Sequence, residues 1–331
     1  MVRSAPAARI ARFGAADDAM PATFAEYAEG TDMQRYEILH RTYYNFTATV
    51  QLEPHRLRLR PREGHELRVE SASVRTTPAS NLRWSRDVED NSVAVVTFEL
   101  PASQLMIESH VIVQQYNQAP FDFLVADHAV DYPFAYAPED AAVLSPYITG
   151  AIRSPHEQAA LAGWVGALGP GDEPIQTFAL LQRLNAHIHQ SLSYRVREEP
   201  GVQTPAETLA LGTGSCRDWA FLFIEAARRL GLAARFVSGY LNSPPSSANY
   251  GATHAWAEVF LPGAGWKGFD PTTGLVVGAD HIAVAVARLP ESVPPVEGSF
   301  IGPPGAASLD VGVWVTPLGS VSSRPDVSVV G

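Results

Sequence analysis

The chain alternates apolar and polar residues, with interruptions, from residue 36 to residue 116, and this alternation restricts the fold more than any other feature. The stretches YEILHRTYYNF and LMIESHVIVQQY begin and end the region, in which Val, Thr, Tyr and Phe are frequent. Turn-forming runs such as PREGH, TTPASN and VEDNS interrupt it. A period of two residues is that of a β-strand, and several short strands at this spacing are typical of an antiparallel sandwich. We predict such a β-sandwich over residues 33–118.

Helical spacing replaces this alternation after residue 118. In SPHEQAALAGWVGALG, Ser154 is placed to cap a helix that begins at Pro155, and Glu157 completes a capping box. In PIQTFALLQRLNAHIHQSL, apolar residues recur at helical spacing from Ile175 to Ile188. Farther on, ARFVSGYL, HAWAEVFL and WKGFDPT have the composition of strands. The predicted fold class is therefore α+β, with the sandwich followed by helices and an antiparallel sheet.

The composition limits the classes of partner and the compartment. The chain has 35 acidic and 24 basic residues, which gives a formal net charge of −11. Nucleic acids and anionic membranes bind clustered Lys and Arg, so this balance argues against both. One cysteine among 331 residues excludes a disulfide scaffold and is typical of a reducing compartment. Because no apolar run approaches the ~20 residues of a membrane span, we predict a cytoplasmic protein.

That single cysteine, Cys216, lies where a turn becomes a helix, in TGSCRDWAFLFIEAARRLGLAAR. Ser215 and Asp218 have the spacing of a capping box, and Gly231 is a typical helix end. The unpaired N–H groups and the dipole of a helix favour negative charge in its first turn, which helps a thiol there to act as a nucleophilic thiolate. The alternative is that Cys216 is a small buried apolar residue.

A thiolate nucleophile needs a residue that transfers protons and a second residue that orients the first. THAWAEVF places His254 at the start of a strand, 38 residues after Cys216. GFDPTTG places Asp270 at the end of the next strand, 16 residues farther on. In an antiparallel hairpin the start of one strand lies beside the end of the next. We therefore predict a Cys–His–Asp triad of Cys216, His254 and Asp270.

The blocks GTGSCRDWAFLFIEAARRLGLAARFVSGYL and THAWAEVFLPGAGWKGFDPTTG resemble the core of the transglutaminase-like superfamily. The likeness is greatest to bacterial members described as candidate cysteine proteases, and it runs from about residue 175 to residue 282. YEILHRTYYNF resembles the start of the β-domain that precedes the core in those proteins. The resemblance implies a papain-like core in which the cysteine helix packs on an antiparallel sheet. It also implies Cys216 as nucleophile, His254 as general base and Asp270 as the orienting acid.

Pattern and resemblance together predict a layout of five segments. These are a flexible extension (1–32), the N-terminal β-sandwich domain (33–118), a linker and helical segment (119–173), the transglutaminase-like catalytic core (174–290) and a Pro/Gly-rich C-terminal segment with one or two strands (291–331).

The predicted chemistry is acyl transfer to Cys216 from a peptide or protein substrate. The thiol attacks a carboxamide or peptide carbonyl, His254 protonates the leaving amine, and the backbone N–H of Cys216 provides one oxyanion donor. The second donor is not identified by the sequence. With water as acceptor the enzyme is a cysteine protease or amidase, which we favour, and with an amine it is a protein-glutamine transglutaminase. The remaining alternative is a catalytically silent binding module whose β-domain recruits a protein partner, although the complete triad counts against it.

We expect neither a metal nor another cofactor. The chain has no Cys/His cluster, glycine-rich phosphate loop or EF-hand run. His187 and His189, two residues apart on a predicted helix, point ~200° apart and are expected to be packed or solvated. Near the thiol, we expect Asp218 to be a cap or an ion-pair partner, and Arg217 to have a structural role rather than to bind a substrate carboxylate.

Overall fold

The computed structural model describes residues 33–116, 119–168, 174–197, 199–244, 252–303 and 307–319. The extension predicted for residues 1–32 lies outside them. The α-helices of this part of the chain are α1 (Pro138–Ile148), α2 (Pro155–Leu168), α3 (Thr177–Ser191), α4 (Pro205–Leu211) and α5 (Cys216–Arg229). Its strands are β1 (Gln34–Leu52), β2 (His55–Leu57), β3 (Leu67–Thr77), β4 (Ser80–Arg86), β5 (Ser92–Phe98), β6 (Ala102–Gln115), β7 (Asp131–Tyr132), β8 (Ile175–Gln176), β9 (Ser193–Tyr194), β10 (Thr213–Gly214), β11 (Ala234–Leu241), β12 (His254–Leu261), β13 (Gly265–Asp270), β14 (Leu275–Val276), β15 (His281–Ala287), β16 (Val296–Glu297), β17 (Phe300–Ile301) and β18 (Ala307–Pro317).

Contacts divide the chain into two compact units. The first contains Ala119–Phe236 and Trp256–Val277. The second contains Val237–Ala255 together with the described residues of 33–116 and 278–319. The segment bounds predicted from the sequence stay a prediction.

The second unit contains an antiparallel β-sandwich. In its first sheet, β6 lies between β1 and β3, and β18 and β17 pair with β1 on its other side. The second sheet has the order β16–β2–β5–β4. Buried side chains of both sheets form one core, which contains Val50, Leu52, Leu57, Leu59, Ala94, Val96, Phe98, Leu105 and Ile107. The α+β class with an N-terminal sandwich is confirmed.

Strands from the end of the chain complete this sandwich. The longest of them, β18, pairs with β1 from Tyr36↔Pro317 to Phe46↔Ala307. The shorter strands β16 and β17 pair with β2 and β1. The pairing of β17 and β18 with β1 therefore joins residues that are more than 240 positions apart along the chain.

Helix α5 is the buried centre of the helical part of the first unit. All its residues from Asp218 to Arg228 are buried, and a polar group inside such a helix must be paired. Glu225 meets this requirement through a 2.7 Å ion pair with Arg228. Arg228 also donates hydrogen bonds to the carbonyl oxygens of Tyr147 and Ala234. These bonds fix α5 to the end of α1 and to the start of β11.

The hairpin of β12 and β13 belongs to a sheet with the order β14–β13–β12–β11–β15. Its register runs from Ala257↔Phe269 to Leu261↔Gly265. The turn contains Gly263 and Gly265 with φ of 85° and 75°, a left-handed conformation that only glycine adopts without strain. Phe269, the last residue but one of β13, stacks on Phe223 of α5 with ring centroids 5.3 Å apart. This packing holds the end of β13 against the cysteine helix.

Candidate active site

Cys216 is the first residue of α5, as the capping pattern predicts. Ser215 precedes it in an extended conformation and acts as the N-cap residue. The thiol is free and partly exposed. Because the first N–H groups of a helix have no intrahelical acceptor, the thiol lies where backbone dipoles favour negative charge.

Asp218 fixes the segment that carries the thiol. Its carboxylate, which is fully buried, accepts hydrogen bonds from the backbone N–H and the hydroxyl of Ser215 at 2.8 and 2.7 Å. It also accepts the N–H of Gln203 at 2.8 Å and one N–H of Arg197 at 2.8 Å. Asp218 is thus both a cap and an ion-pair partner.

Arg217 contacts the same loop as Asp218. Its guanidinium group donates hydrogen bonds to the carbonyl oxygens of Arg197 and Glu199, at 3.3 and 2.5 Å. Both carbonyls belong to the loop between β9 and α4. Together with Asp218, Arg217 holds this loop against the N-terminal turn of α5.

Tyr194, which the sequence analysis did not single out, contacts the thiol. It ends β9, where it pairs in parallel with Gly214, two residues before Cys216. Its hydroxyl hydrogen-bonds with the side chain and with the backbone N–H of Cys216. Burial is the largest cause that raises the pKa of Tyr194. The negative charge of a Cys216 thiolate and the hydrogen bond with the Cys216 side chain raise it further. The phenol therefore keeps its proton over the whole physiological pH range.

Asp270 is the last residue of β13 and is fully buried. Its Oδ1 accepts the N–H of Thr272 at 2.9 Å, and its carbonyl oxygen accepts the N–H of Gly274 at 2.8 Å. The negative charge of Asp270 also raises the pKa of Tyr194. Cys216 and Asp270 therefore both contribute to the raised pKa of Tyr194.

His254 is the first residue of β12 and is 2% exposed. By its contacts it belongs to the second unit, whereas Cys216 and Asp270 belong to the first. Its ring lies beside that of His281, with centroids 6.2 Å apart and ring nitrogens within 4.8 Å. The structure thus places His254 at the strand start that the sequence predicts, and the triad stays a prediction.

The two histidines of α3 have different contacts. The ring of His187 contacts that of Trp164, with centroids 5.5 Å apart. Nδ1 of His189 hydrogen-bonds with the carbonyl oxygen of Thr272 at 2.9 Å.

The fold and the thiol at the start of a buried helix are together typical of thiol-dependent enzymes. Two family models match the chain: the bacterial transglutaminase-like N-terminal region over residues 36–114, and the transglutaminase-like superfamily core over residues 171–271. An uncharacterised Mycobacterium bovis protein is 30% identical over 304 residues, which are 86% of this chain and 93% of that protein. A Mycobacterium leprae protein is 27% identical over 310 residues, 86% of this chain and 100% of that protein. The chain belongs to the transglutaminase-like superfamily, as its motifs predict.

A solved structure shares this architecture. It is that of a candidate cysteine protease from Cytophaga hutchinsonii, with a TM-score of 0.67 and 16% identity, and the match covers 87% of this chain and 92% of that one. The likeness concerns the fold. Family and fold together support a thiol-dependent enzyme in general.

Among the helices that the structure describes, none has the length and apolar character that a membrane span requires.

Proposed function

We propose that the protein is a thiol-dependent acyl-transfer enzyme that hydrolyses peptide or glutamine-type amide bonds through a thioester on Cys216. The observation that carries the proposal is the position of the only thiol. It begins a buried helix, where unpaired backbone N–H groups favour a thiolate, and Tyr194 pairs with Gly214, two residues before it.

The reaction assigns a role to each predicted residue. The thiolate of Cys216 attacks the carbonyl carbon, a C–S bond forms, and the carbonyl electrons move to oxygen. When the tetrahedral intermediate collapses, the C–N bond breaks and His254 gives the leaving nitrogen the proton that it took from the thiol of Cys216. His254 then takes a proton from water, which attacks the thioester and releases the acid and the thiolate. Asp270 holds the imidazole in the productive tautomer.

The acceptor distinguishes the two reactions open to this site. Water gives a cysteine protease or amidase, and a primary amine gives a transglutaminase. Hydrolysis is favoured by the likeness to bacterial members that combine this core with an N-terminal β-domain and are described as candidate cysteine proteases. The proposal includes a cytoplasmic location, because a reducing compartment keeps a single cysteine as a free thiol.

The test is mass spectrometry of a peptide library incubated with the protein, with and without a primary amine. Shortened peptides or deamidated glutamines that require the protein support hydrolysis, whereas amine adducts support transamidation. Cys216→Ala is the control, and products that persist with this variant would contradict a thioester mechanism. Peptides that are retained without any change would support a silent binding module.

A further inference from the structure

The turn after β13 sets the direction of the Asp270 carboxylate. The N–H of Thr272 donates to Oδ1 of Asp270 at 2.9 Å, so the aspartate side chain closes a turn with the backbone two residues later. The carbonyl oxygen of Asp270 accepts the N–H of Gly274 at 2.8 Å and the hydroxyl of Thr273 at 3.3 Å. Because one carboxylate oxygen is bound to the turn, the direction of the other follows the conformation of the turn.

Helix α3 holds this turn at two points. Nδ1 of His189 lies 2.9 Å from the carbonyl oxygen of Thr272, and since a carbonyl oxygen only accepts, Nδ1 carries the proton and donates it. Asn185 lies one helical turn earlier on the same face of α3. Its side-chain amide donates to the carbonyl oxygen of Leu275 at 3.0 Å. The two bonds hold the turn at its middle and at its end.

The ring of His189 also packs on the turn. Gly274 has a φ of 75°, which only glycine adopts without strain. A Cβ at Gly274 would lie 3.0 Å from Cγ and Cδ2 of His189, so the absence of a side chain lets the imidazole reach the backbone. Hydrogen bond and ring contact together fix the imidazole against the turn, although His189 is an exposed residue.

Thr272 connects this imidazole to the carboxylate. Its carbonyl oxygen accepts the hydrogen bond of His189, and its N–H donates to Asp270, so a rotation of its backbone changes both bonds. A group that orients a catalytic imidazole has to be held within about 0.5 Å of the productive geometry. The contacts of His189 restrict the one residue through which α3 acts on the Asp270 carboxylate.

We propose that His189 is a positioning residue, which holds the carboxylate of Asp270 through Thr272 in the direction that proton transfer by His254 requires. The inference rests on the proposed triad and adds to it a residue that acts through the backbone rather than on the substrate. His189 transfers no proton and keeps its Nδ1–H on the carbonyl of Thr272 during the reaction.

Two reactions of Cys216 that differ in the leaving group separate this role from general support of the fold. The leaving nitrogen of a peptide needs a proton from His254, whereas p-nitrophenolate leaves p-nitrophenyl acetate without one. His189→Ala removes the hydrogen bond from an exposed position. We expect turnover of the peptide library to fall by roughly 10–10²-fold, the scale of a small misplacement of a catalytic group, while acetylation by the ester changes only a few-fold.

His189→Asn is the rescue variant and His187→Ala the matched control. The Asn amide can place an N–H where Nδ1 of the imidazole lies, so His189→Asn should recover most of the peptide turnover. His187 is on the same helix, but its ring contacts Trp164, with centroids 5.5 Å apart. His187→Ala should keep both rates close to those of the wild type, and Cys216→Ala gives the background of both assays.

The outcomes distinguish the inference from the proposed function. If the wild type neither cleaves nor deamidates peptides of the library, the proposed hydrolysis fails. If the wild type is active and His189→Ala is equally active on peptides, His189 is not a positioning residue. Equal losses in both reactions, or a His189→Asn variant no better than His189→Ala, would also overturn the inference. Both rates come from one preparation, so their ratio does not depend on the folded fraction.

Discussion

Arg197 donates a 2.8 Å hydrogen bond to the carboxylate of Asp218, which is fully buried in the first turn of α5. The same guanidinium group lies 3.7 Å from the carboxylate of Glu199, which is 61% exposed. One arginine therefore takes part in two ion pairs that differ mainly in burial. A buried charge that loses its partner destabilises a protein strongly, whereas exposed pairs contribute little.

We expect Asp218→Asn to lower the free energy of unfolding by about 3 kcal/mol. Arg197 loses its buried counter-charge, and the N–H groups of Ser215 and Gln203 lose a charged acceptor. The control Glu199→Gln should cost at most about 1 kcal/mol. Urea unfolding of the three proteins measures both values, and equal losses for the two variants would contradict the assigned role of burial.

Gly214 allows the segment before Cys216 to pack closely against Asp218 and Trp219. A Cβ at this residue would lie 3.0 Å from Cβ of Asp218 and 3.2 Å from Cδ1 of Trp219, closer than side chains normally approach. Gly214→Ala should therefore cost about 1–3 kcal/mol of stability. It should also slow alkylation of Cys216 by displacing the start of α5. Thermal unfolding and alkylation rates measure the two effects.

Gly166, inside α2, is the matched control because a Cβ there would meet nothing within 4 Å. Gly166→Ala should raise stability by up to about 1 kcal/mol, the difference in helix propensity between the two residues. If Gly214→Ala is as stable and as rapidly alkylated as Gly166→Ala, the close packing around Gly214 does not affect the position of Cys216.

The features that the sequence predicted correctly depend on local patterns. The cap of α5 follows from Ser215 and Asp218, three residues apart, and the strands β11 and β12 follow from short apolar stretches. Within the predicted linker and helical segment no separate helix was assigned to α1, which contains Pro146, and proline is normally unfavourable inside a helix. Ile175, which the helical spacing assigned to a helix, lies in the two-residue strand β8 before α3.

The contact of Tyr194 with the thiol depends on a tertiary pair that no local pattern reveals. Strand β9 has two residues, too few to show a period, and its partner Gly214 is 20 residues away. Likewise, the sequence predicted one or two strands in residues 291–331 and could not show that β18 pairs with β1. Pairings between distant segments are decided by packing, which a single sequence does not display.

His40 should make stability depend on pH. Its ring is buried and hydrogen-bonded to the hydroxyl groups of Tyr240 and Thr42, at 3.0 and 3.2 Å. Burial lowers the pKa of His40 from 6.5 to about 4. The unfolded chain therefore binds a proton between these values while the folded chain does not, so stability is lost as pH falls. This group should cost about 2 kcal/mol at pH 5 relative to pH 7.5.

The measurement is the urea midpoint at pH 5 and at pH 7.5. His40→Gln should reduce the difference between the two midpoints, since the variant has no imidazole to protonate. His65→Gln replaces an exposed ring and should leave the difference as in the wild type. An unchanged pH dependence in His40→Gln would show that other groups determine it.

Asp270→Asn tests the orienting role in the proposed triad. The amide keeps the size of the buried side chain but loses the charge that holds the imidazole of His254 in the productive tautomer. In a Ser–His–Asp triad the corresponding change lowers turnover by about 10⁴-fold, and we expect a loss of turnover here as well. Alkylation of Cys216 by iodoacetamide should fall much less, because it requires the thiol and no proton delivery to a leaving group.

Both rates are measured on the same preparation, with its melting temperature as the check of folding. Asp140→Asn, a change to an acidic residue in the first turn of α1, is the control and should leave both rates as they are in the wild type. Loss of turnover with alkylation retained assigns Asp270 to proton transfer through His254. Equal losses of the two rates would instead make Asp270 a support of the thiol, and unchanged turnover would remove it from the mechanism.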